Sequence, residues 1–282
     1  LASSTNAFLN GERDFSAEDR GGRNLRFGVR EQAMAGIANG LAQHGGVVPF
    51  CSTYFAFSDF MKPAIRLAAL AGIPGIFVFT HDTLALGGDG PTHQPVEQLA
   101  GFRALPNCLV VRPADANETA QAWRMAVERT EGPTVLVLTR QSLPCLPVGR
   151  LDRGGYLVAG QVGVTLVGAG SEVHLCLEAH RLLAEQGVKS RVVSLPCWKL
   201  FWAQPEEYRR EVLGAGPRVA VEAGASLGWH RVVGDGGIVL GLDRFGASGD
   251  GDELMRRFGF TAERVVEAAL AVSTRTQTND RY

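Results

Sequence analysis

The sequence lacks the features that would place it in a membrane, on nucleic acid or among disulfide-stapled secreted proteins. No apolar run approaches the roughly 20 residues that a helix needs to cross a bilayer. Lys plus Arg number 28 and Asp plus Glu 29, a formal net charge of −1, so no global basic surface is present to attract nucleic acid or anionic lipid. The cysteines, Cys51, Cys108, Cys145, Cys176 and Cys197, are odd in number and scattered, without the C-x-x-C spacing of a redox pair or metal knuckle. They read as buried free thiols in a reducing, cytoplasmic compartment. No secretory signal pattern is visible, and no internal repeat of solenoid period appears. A small molecule is therefore the expected partner, with no nucleic acid and no membrane.

What is present is an ordinary globular composition, 45% hydrophobic and 20% charged over 282 residues, enough chain for two domains. Strand-like runs at 47–50, 76–80, 108–111 and 134–139 alternate with helical patterns, clearest at 30–43 and 117–128. That alternation predicts a parallel sheet with helices on both faces. The stretch 141–155 holds two prolines and three glycines with little periodicity, and reads as a linker. A second alternating series follows, with strands at 164–167, 190–195, 218–222 and 238–242 and helices near 172–186, 205–213 and 262–272. The polar tail 273–282 is expected to fray. The predicted fold class is α/β: two three-layer α/β/α domains with mainly parallel sheets, divided as 1–148 and 149–282.

Chemistry concentrates in one loop. His81-Asp82-Thr83-Leu84-Ala85-Leu86-Gly87-Gly88-Asp89-Gly90-Pro91-Thr92-His93-Gln94-Pro95 places two histidines and two aspartates among glycines that let the backbone approach a ligand. It follows the apolar run Ile76 to Thr80, so it should emerge at the carboxyl end of a strand, where open α/β sheets bind ligands. Val167-Gly168-Ala169-Gly170-Ser171-Glu172 invites a dinucleotide reading but lacks the third glycine and the acidic residue ending the next strand; it reads as a structural tight turn. His44, His174, His180 and His230 fall outside every motif and read as structural.

The loop resembles the signature of the transketolases, thiamine diphosphate enzymes, and further stretches extend the resemblance along nearly the whole chain in the family's order. Phe27-Gly28-Val29-Arg30-Glu31-Gln32-Ala33-Met34 is similar to the segment carrying the cofactor-activating glutamate. Ser52-Thr53-Tyr54-Phe55-Ala56-Phe57-Ser58-Asp59-Phe60 resembles the aromatic lining of the aminopyrimidine site. Thr139-Arg140-Gln141-Ser142-Leu143-Pro144 resembles the substrate-phosphate arginine motif. Gly154-Gly155-Tyr156 resembles the opening of the C-terminal domain, and Glu222-Ala223-Gly224 a landmark at the dimer interface. The family's diphosphate-and-metal motif, a Gly-Asp-Gly followed about 30 residues on by Asn, is missing. Gly88-Asp89-Gly90 has its letters but lies inside the substrate loop. Leu1-Ala2-Ser3-Ser4 is similar to an internal stretch of the pyrimidine-binding domain. The expectation is a C-terminal portion of a transketolase, its pyrimidine-binding domain missing the first strand and helix.

The resemblance implies transfer of a two-carbon ketol unit from ketose phosphate to aldose phosphate, a pentose phosphate pathway reaction, with thiamine diphosphate and Mg²⁺. The metal ligands are expected on the absent diphosphate-binding domain or subunit, none in this chain, and the active enzyme is expected to be a homodimer. Glu31 would hydrogen-bond N1′ of the cofactor, with a first-turn glutamate favouring the helix dipole as the structural alternative. Tyr54, Phe57 and Phe60, three residues apart, would share a face on a helical turn and bind the aminopyrimidine, Phe57 stacking on it. Phe60 stands where tyrosine is common in the family and lacks its hydroxyl. His81 and Arg140, joined by Ser4, would contact the substrate phosphate, Asp89 the acceptor's C2 hydroxyl, and His93 would lie near the reacting carbon. A 1-deoxyxylulose-5-phosphate synthase-like enzyme shares the Gly-Asp-Gly-Pro-Thr-His core, though Thr80-His81-Asp82 and Arg140-Gln141 favour transketolase. A non-catalytic dimerisation or regulatory subunit of the same fold is the alternative of a different kind.

Overall fold

Ile76-Phe77-Val78-Phe79 has no polar position, the pattern of a strand covered on both faces. The computed structural model, which describes residues 5–279, makes it the buried centre of the first sheet. Strands β1 (Phe50–Tyr54), β2 (Ile76–Thr80), β3 (Leu109–Val111) and β4 (Thr134–Leu138) pair in the order β1-β2-β4-β3, all parallel. Side chains alternate across the sheet. Phe77 and Phe79 pack with Ala35, Met61 and Ile65 from helices α1 (Glu31–His44) and α2 (Ser58–Ala71) and with Phe102 from α3 (Gln98–Arg103). Ile76, Val78, Val111 and Leu136 pack on Ala122 and Ala126 of α4 (Ala116–Glu128) on the other side. Each fully buried Val, Leu, Ile, Phe or Met side chain contributes about 1.5–3 kcal/mol.

The second sheet repeats the scheme. Strands β5 (Tyr156–Ala159), β6 (Val164–Gly168), β7 (Ser190–Ser194), β8 (Arg218–Val221) and β9 (Ile238–Leu240) run in the order β5-β7-β6-β8-β9, parallel except for the antiparallel edge strand β5. Leu166, Val192 and Val219 meet α5 (Glu172–Glu185) and the final helix on one face. Val167, Val193 and Ala220 meet Phe201 of α6 (Trp198–Trp202), Leu213 of α7 (Glu206–Leu213) and Val232 of α8 (His230–Val233) on the other. Helix α9 (Gly251–Arg257) precedes the final helix, α10 (Ala262–Asn279).

Three sequence expectations need correction. The first strand starts at Phe50 rather than 47, because Gly45 and Gly46, at φ 81° and 84°, turn the chain after α1 and leave Val47 and Val48 exposed. The tail does not fray from residue 273: α10 continues to Asn279, and the Ser273 hydroxyl donates to the Ala269 carbonyl at 2.7 Å. Cys145 is exposed, while the other four cysteines are buried and all five are unpaired. Burial pushes the Cys51 and Cys108 thiols up to about 12. Among the described residues no helix is long and apolar enough to cross a membrane.

Candidate active site

In-register pairing brings the conspicuous residues together. Tyr54 pairs with Thr80 and Thr80 with Leu138, so β1, β2 and β4 end level. Tyr54 is the last residue of β1, His81 follows the last of β2, and Arg140 lies two beyond the last of β4. The three meet at the carboxyl edge of the sheet, where helix-bound loops leave room for a ligand.

The rings form one cluster. Tyr54 stacks on Phe57 with centroids 5.7 Å apart, meets His81 at 4.7 Å and His93 at 5.8 Å. Phe57 contacts His93 at 4.9 Å and Phe60 at 6.2 Å. The expected single helical turn is not what arranges them: Tyr54 is on a strand, a short 3-10 turn spans Phe55–Phe57, and Phe60 lies in the first turn of α2. Phe60 is 62% exposed and stands at the rim.

Glu31 opens α1, 7% exposed, and the Thr53 hydroxyl donates to its Oε1 at a long 3.4 Å. Thr53 and Tyr54 are successive on β1, so the carboxylate and the rings approach the same strand end. His81 is 5% exposed, and neither of its buried ring nitrogens has a hydrogen-bond partner among the described residues. Burial lowers its pKa, the Arg140 charge lowers it further, and Asp82 and Asp89 oppose both. The ring is therefore neutral near pH 7. Arg140 and Asp89 are exposed, and the Thr92 hydroxyl and His93 Nδ1 lie 2.8 Å apart. Ser4 lies outside the described residues.

The loop is braced from the second half of the chain. Gln94 Nε2 donates to the Leu84, Gly87 and Ala247 carbonyls at 3.5, 3.2 and 2.9 Å. Gly87 and Gly90 adopt φ 82° and 77°, the left-handed region that favours glycine. A Cβ on Gly90 would come within 2.3 Å of Ser248 Oγ, and one on Gly87 within 3.1 Å of the Gly249 carbonyl oxygen, so the loop packs closely on the segment before α9.

Sequence reasoning passed over Gln94, Thr53 and a buried ionic cluster formed by Asp82, Arg112, Glu172, Glu222 and Arg103. The only signal was an arginine placed directly after the apolar Leu109-Val110-Val111. The histidines read as structural include His174, whose Nε2 lies 3.0 Å from the Ala114 carbonyl oxygen, and His180, whose Nδ1 lies 2.8 Å from Ser190 Oγ.

The residues fit the pyrimidine half of thiamine diphosphate: a buried carboxylate with one weak partner, a set of rings, and unpartnered polar nitrogens beside them. Among the described residues no group of three or more His, Cys, Asp or Glu is placed to hold a metal ion.

Two α/β/α units with mainly parallel sheets and a polar and aromatic cluster at the strand ends place the chain among α/β proteins that bind ligands at the carboxyl edge of a sheet, and its relatives are more specific. Residues 1–145 match the family model for the transketolase pyrimidine binding domain and residues 154–261 that for the transketolase-like C-terminal domain. The chain belongs to the transketolase family. It is 49% identical over 284 residues to a transketolase of Halalkalibacterium halodurans, covering 96% of this chain and 42% of that one. A structure described as transketolase in complex with sedoheptulose-7-phosphate, from Pichia stipitis, superposes with a TM-score of 0.93 at 41% identity, over 98% of this chain and 42% of that one. Another, described as a split gene transketolase, an inactive beta4 tetramer, has a TM-score of 0.76 at 27% identity and covers 93% of this chain and 90% of that one. The chain thus spans about two fifths of the length of the full transketolases it matches.

Proposed function

We propose that this chain supplies the pyrimidine-binding and C-terminal domains, divided near residues 148 and 149, of a transketolase working in the cytoplasm. With the diphosphate-binding domain or subunit, and as a dimer, it would transfer a two-carbon ketol unit from ketose phosphate to aldose phosphate in the pentose phosphate pathway. The observation that carries this reading is the convergence of Glu31, the Tyr54–Phe57–His93–His81 ring cluster and Arg140 at level strand ends. The split-gene neighbour, described as an inactive beta4 tetramer, is in line with these two domains needing a diphosphate-binding partner. Five unpaired cysteines fit the reducing compartment.

Thiamine diphosphate, held elsewhere by its diphosphate and Mg²⁺, would supply a carbon nucleophile and electron sink. Glu31 would hydrogen-bond the N1′ end of the pyrimidine, holding a proton at that atom, and Thr53 would orient the carboxylate. Tyr54 and Phe57 supply apolar walls, with Phe60 closing the rim. Arg140 offers a guanidinium fork to the substrate phosphate, and neutral His81 donates one N–H beside it. Asp89 would accept from the hydroxyl at C2 of the acceptor. His93, against Phe57, is placed to exchange a proton with the substrate oxygen at the reacting carbon.

The test is reconstitution. The chain is combined with a separately produced diphosphate-binding half, thiamine diphosphate and Mg²⁺. Release of the shortened aldose phosphate from fructose 6-phosphate, dependent on an aldose phosphate acceptor, is the expected result. A complete, folded complex with no ketol transfer to any aldose phosphate would overturn the reading.

A further inference from the structure

Arg112 sits at the start of the loop after β3, 1% exposed, and its side chain points across to the second half of the chain. Its Nε and Nη2 close on the same Asp82 oxygen at 2.9 and 2.8 Å. Its Nη1 donates to the Ala169 carbonyl at 3.0 Å and to Glu172 at 2.5 Å, with Glu222 at 3.4 Å. Its backbone is pinned as well: the N–H donates to Pro196 and the carbonyl accepts from Gly170. Glu222 is gripped in turn by Arg103 through two hydrogen bonds and by the Trp229 indole N–H at 2.7 Å. Gly168 to Glu172, the turn with the letters of a nucleotide loop, is thus the receptor for an arginine of the other unit.

Asp82 is the residue after His81. Among the described residues the His81 side chain has no hydrogen bond, and it packs against the Tyr54 ring. The nearest side-chain anchor on that backbone is Asp82, and the anchor's other end lies on the second sheet's turn.

We propose that Arg112 is a positioning residue that, through Asp82, fixes the His81 ring at the phosphate end of the substrate pocket, with Glu172 and Glu222 of the C-terminal unit as its foundation. The C-terminal unit acts on substrate binding without touching substrate. This rests on the function proposed above for His81, and the test separates the two.

Asp82→Ala is the informative variant, because the cluster holds three carboxylates against two guanidiniums and removing Asp82 leaves a balanced set. The reconstituted enzyme is assayed as wild type, D82A, H81A and the double variant, with fructose 6-phosphate and with hydroxypyruvate in the absence of a phosphorylated acceptor. D82A should raise KM for fructose 6-phosphate about tenfold or more while kcat, and KM for hydroxypyruvate, stay within about threefold, and it should add nothing to H81A. Equal effects on both donors, or effects that add to those of H81A, overturn the proposal. Should D82A fail to fold, D82N keeps the acceptor oxygen with a weaker hold and should give an intermediate KM; a wild-type KM overturns the proposal. The ring contact between Tyr54 and His81, followed by nuclear Overhauser effects in the chain itself, needs no substrate. Its loss in the Asp82 variant supports the proposal even if no sugar phosphate is turned over, and its retention overturns it.

Discussion

Phe57 and His93 meet edge to face, 4.9 Å between centroids at 65°, although 36 positions separate them and they come from the turn after β1 and the loop after β2. An aromatic wall and an imidazole therefore share one border. A group stacked on Phe57 lies within reach of His93, as a cofactor ring activated on one side and a substrate carbon handled on the other would require.

Glu31→Gln should leave the fold intact and lower turnover of the reconstituted enzyme by about two orders of magnitude or more, the scale of acid–base assistance. Exchange of the proton at C2 of bound thiamine diphosphate, followed by NMR, reports the affected step. An unchanged exchange rate would remove Glu31 from it.

Arg140 should matter only when there is a phosphate to hold. Arg140→Ala should lower kcat/KM for ketose phosphates by about 30-fold to 800-fold, from the roughly 2–4 kcal/mol of a charge-assisted contact. Cleavage of hydroxypyruvate without a phosphorylated acceptor should be nearly unaffected. Equal losses would make Arg140 a support for the fold or the cofactor.

The chain by itself should bind thiamine diphosphate and Mg²⁺ weakly, since the groups for the diphosphate and the metal are expected on the other half. Calorimetric titration showing micromolar affinity without that half would contradict this.

His81 should leave a pH signature on stability. Its folded pKa lies below the ordinary 6.5, so the unfolded chain binds more protons once the pH drops below that value. Stability should therefore fall as pH falls from about 6.5 through the folded pKa. Urea midpoints measured across that window should slope less in His81→Asn than in wild type. A phosphate at the site would raise the His81 pKa, so sugar phosphate binding should take up protons, which calorimetry in buffers of different ionisation enthalpy detects.

Arg103 and Glu222 join the two units in a buried pair, side chains 9% and 1% exposed. Arg103→Met should cost about 3 kcal/mol or more, because Glu222 keeps its charge and loses its main partner. Arg103 and Arg112 together hold the Glu222 carboxyl below its ordinary value despite burial, so Glu222→Gln in the Arg103→Met background should recover part of the loss. Urea denaturation measures both.

Strand and helix identity were legible where the pattern is local: β2 and β4 are apolar runs with a single reading, and α4 begins at an Asp115 cap that accepts from the Glu118 N–H at 2.8 Å. The first strand was misplaced because Val47 and Val48 have strand composition, while pairing with β2 selects Phe50 to Tyr54 instead. Strand β5 escaped notice because four residues between a glycine pair and another glycine carry no periodicity. At the site, the resemblance drew attention to residues that would face ligand. Arg112, Gln94 and Glu118 face other protein groups. Glu118, whose Oε1 accepts from Tyr156 and Ser194 and whose carboxyl burial pushes up, depends on partners 38 and 76 positions away that no local pattern marks.

The Gln94 bridge to Ala247 spans 153 positions, and that separation dictates an order of events. Loop closure over such a length is slow compared with forming the nearby β1–β2 pairing. During synthesis the loop emerges before the segment that receives Gln94 and packs on Gly87 and Gly90, and its glycines stay unbraced until that segment has been made and folded. The loop is thus set only after the second unit has been made, and a nascent chain stopped before residue 247 would carry the loop without the carbonyl that receives Gln94.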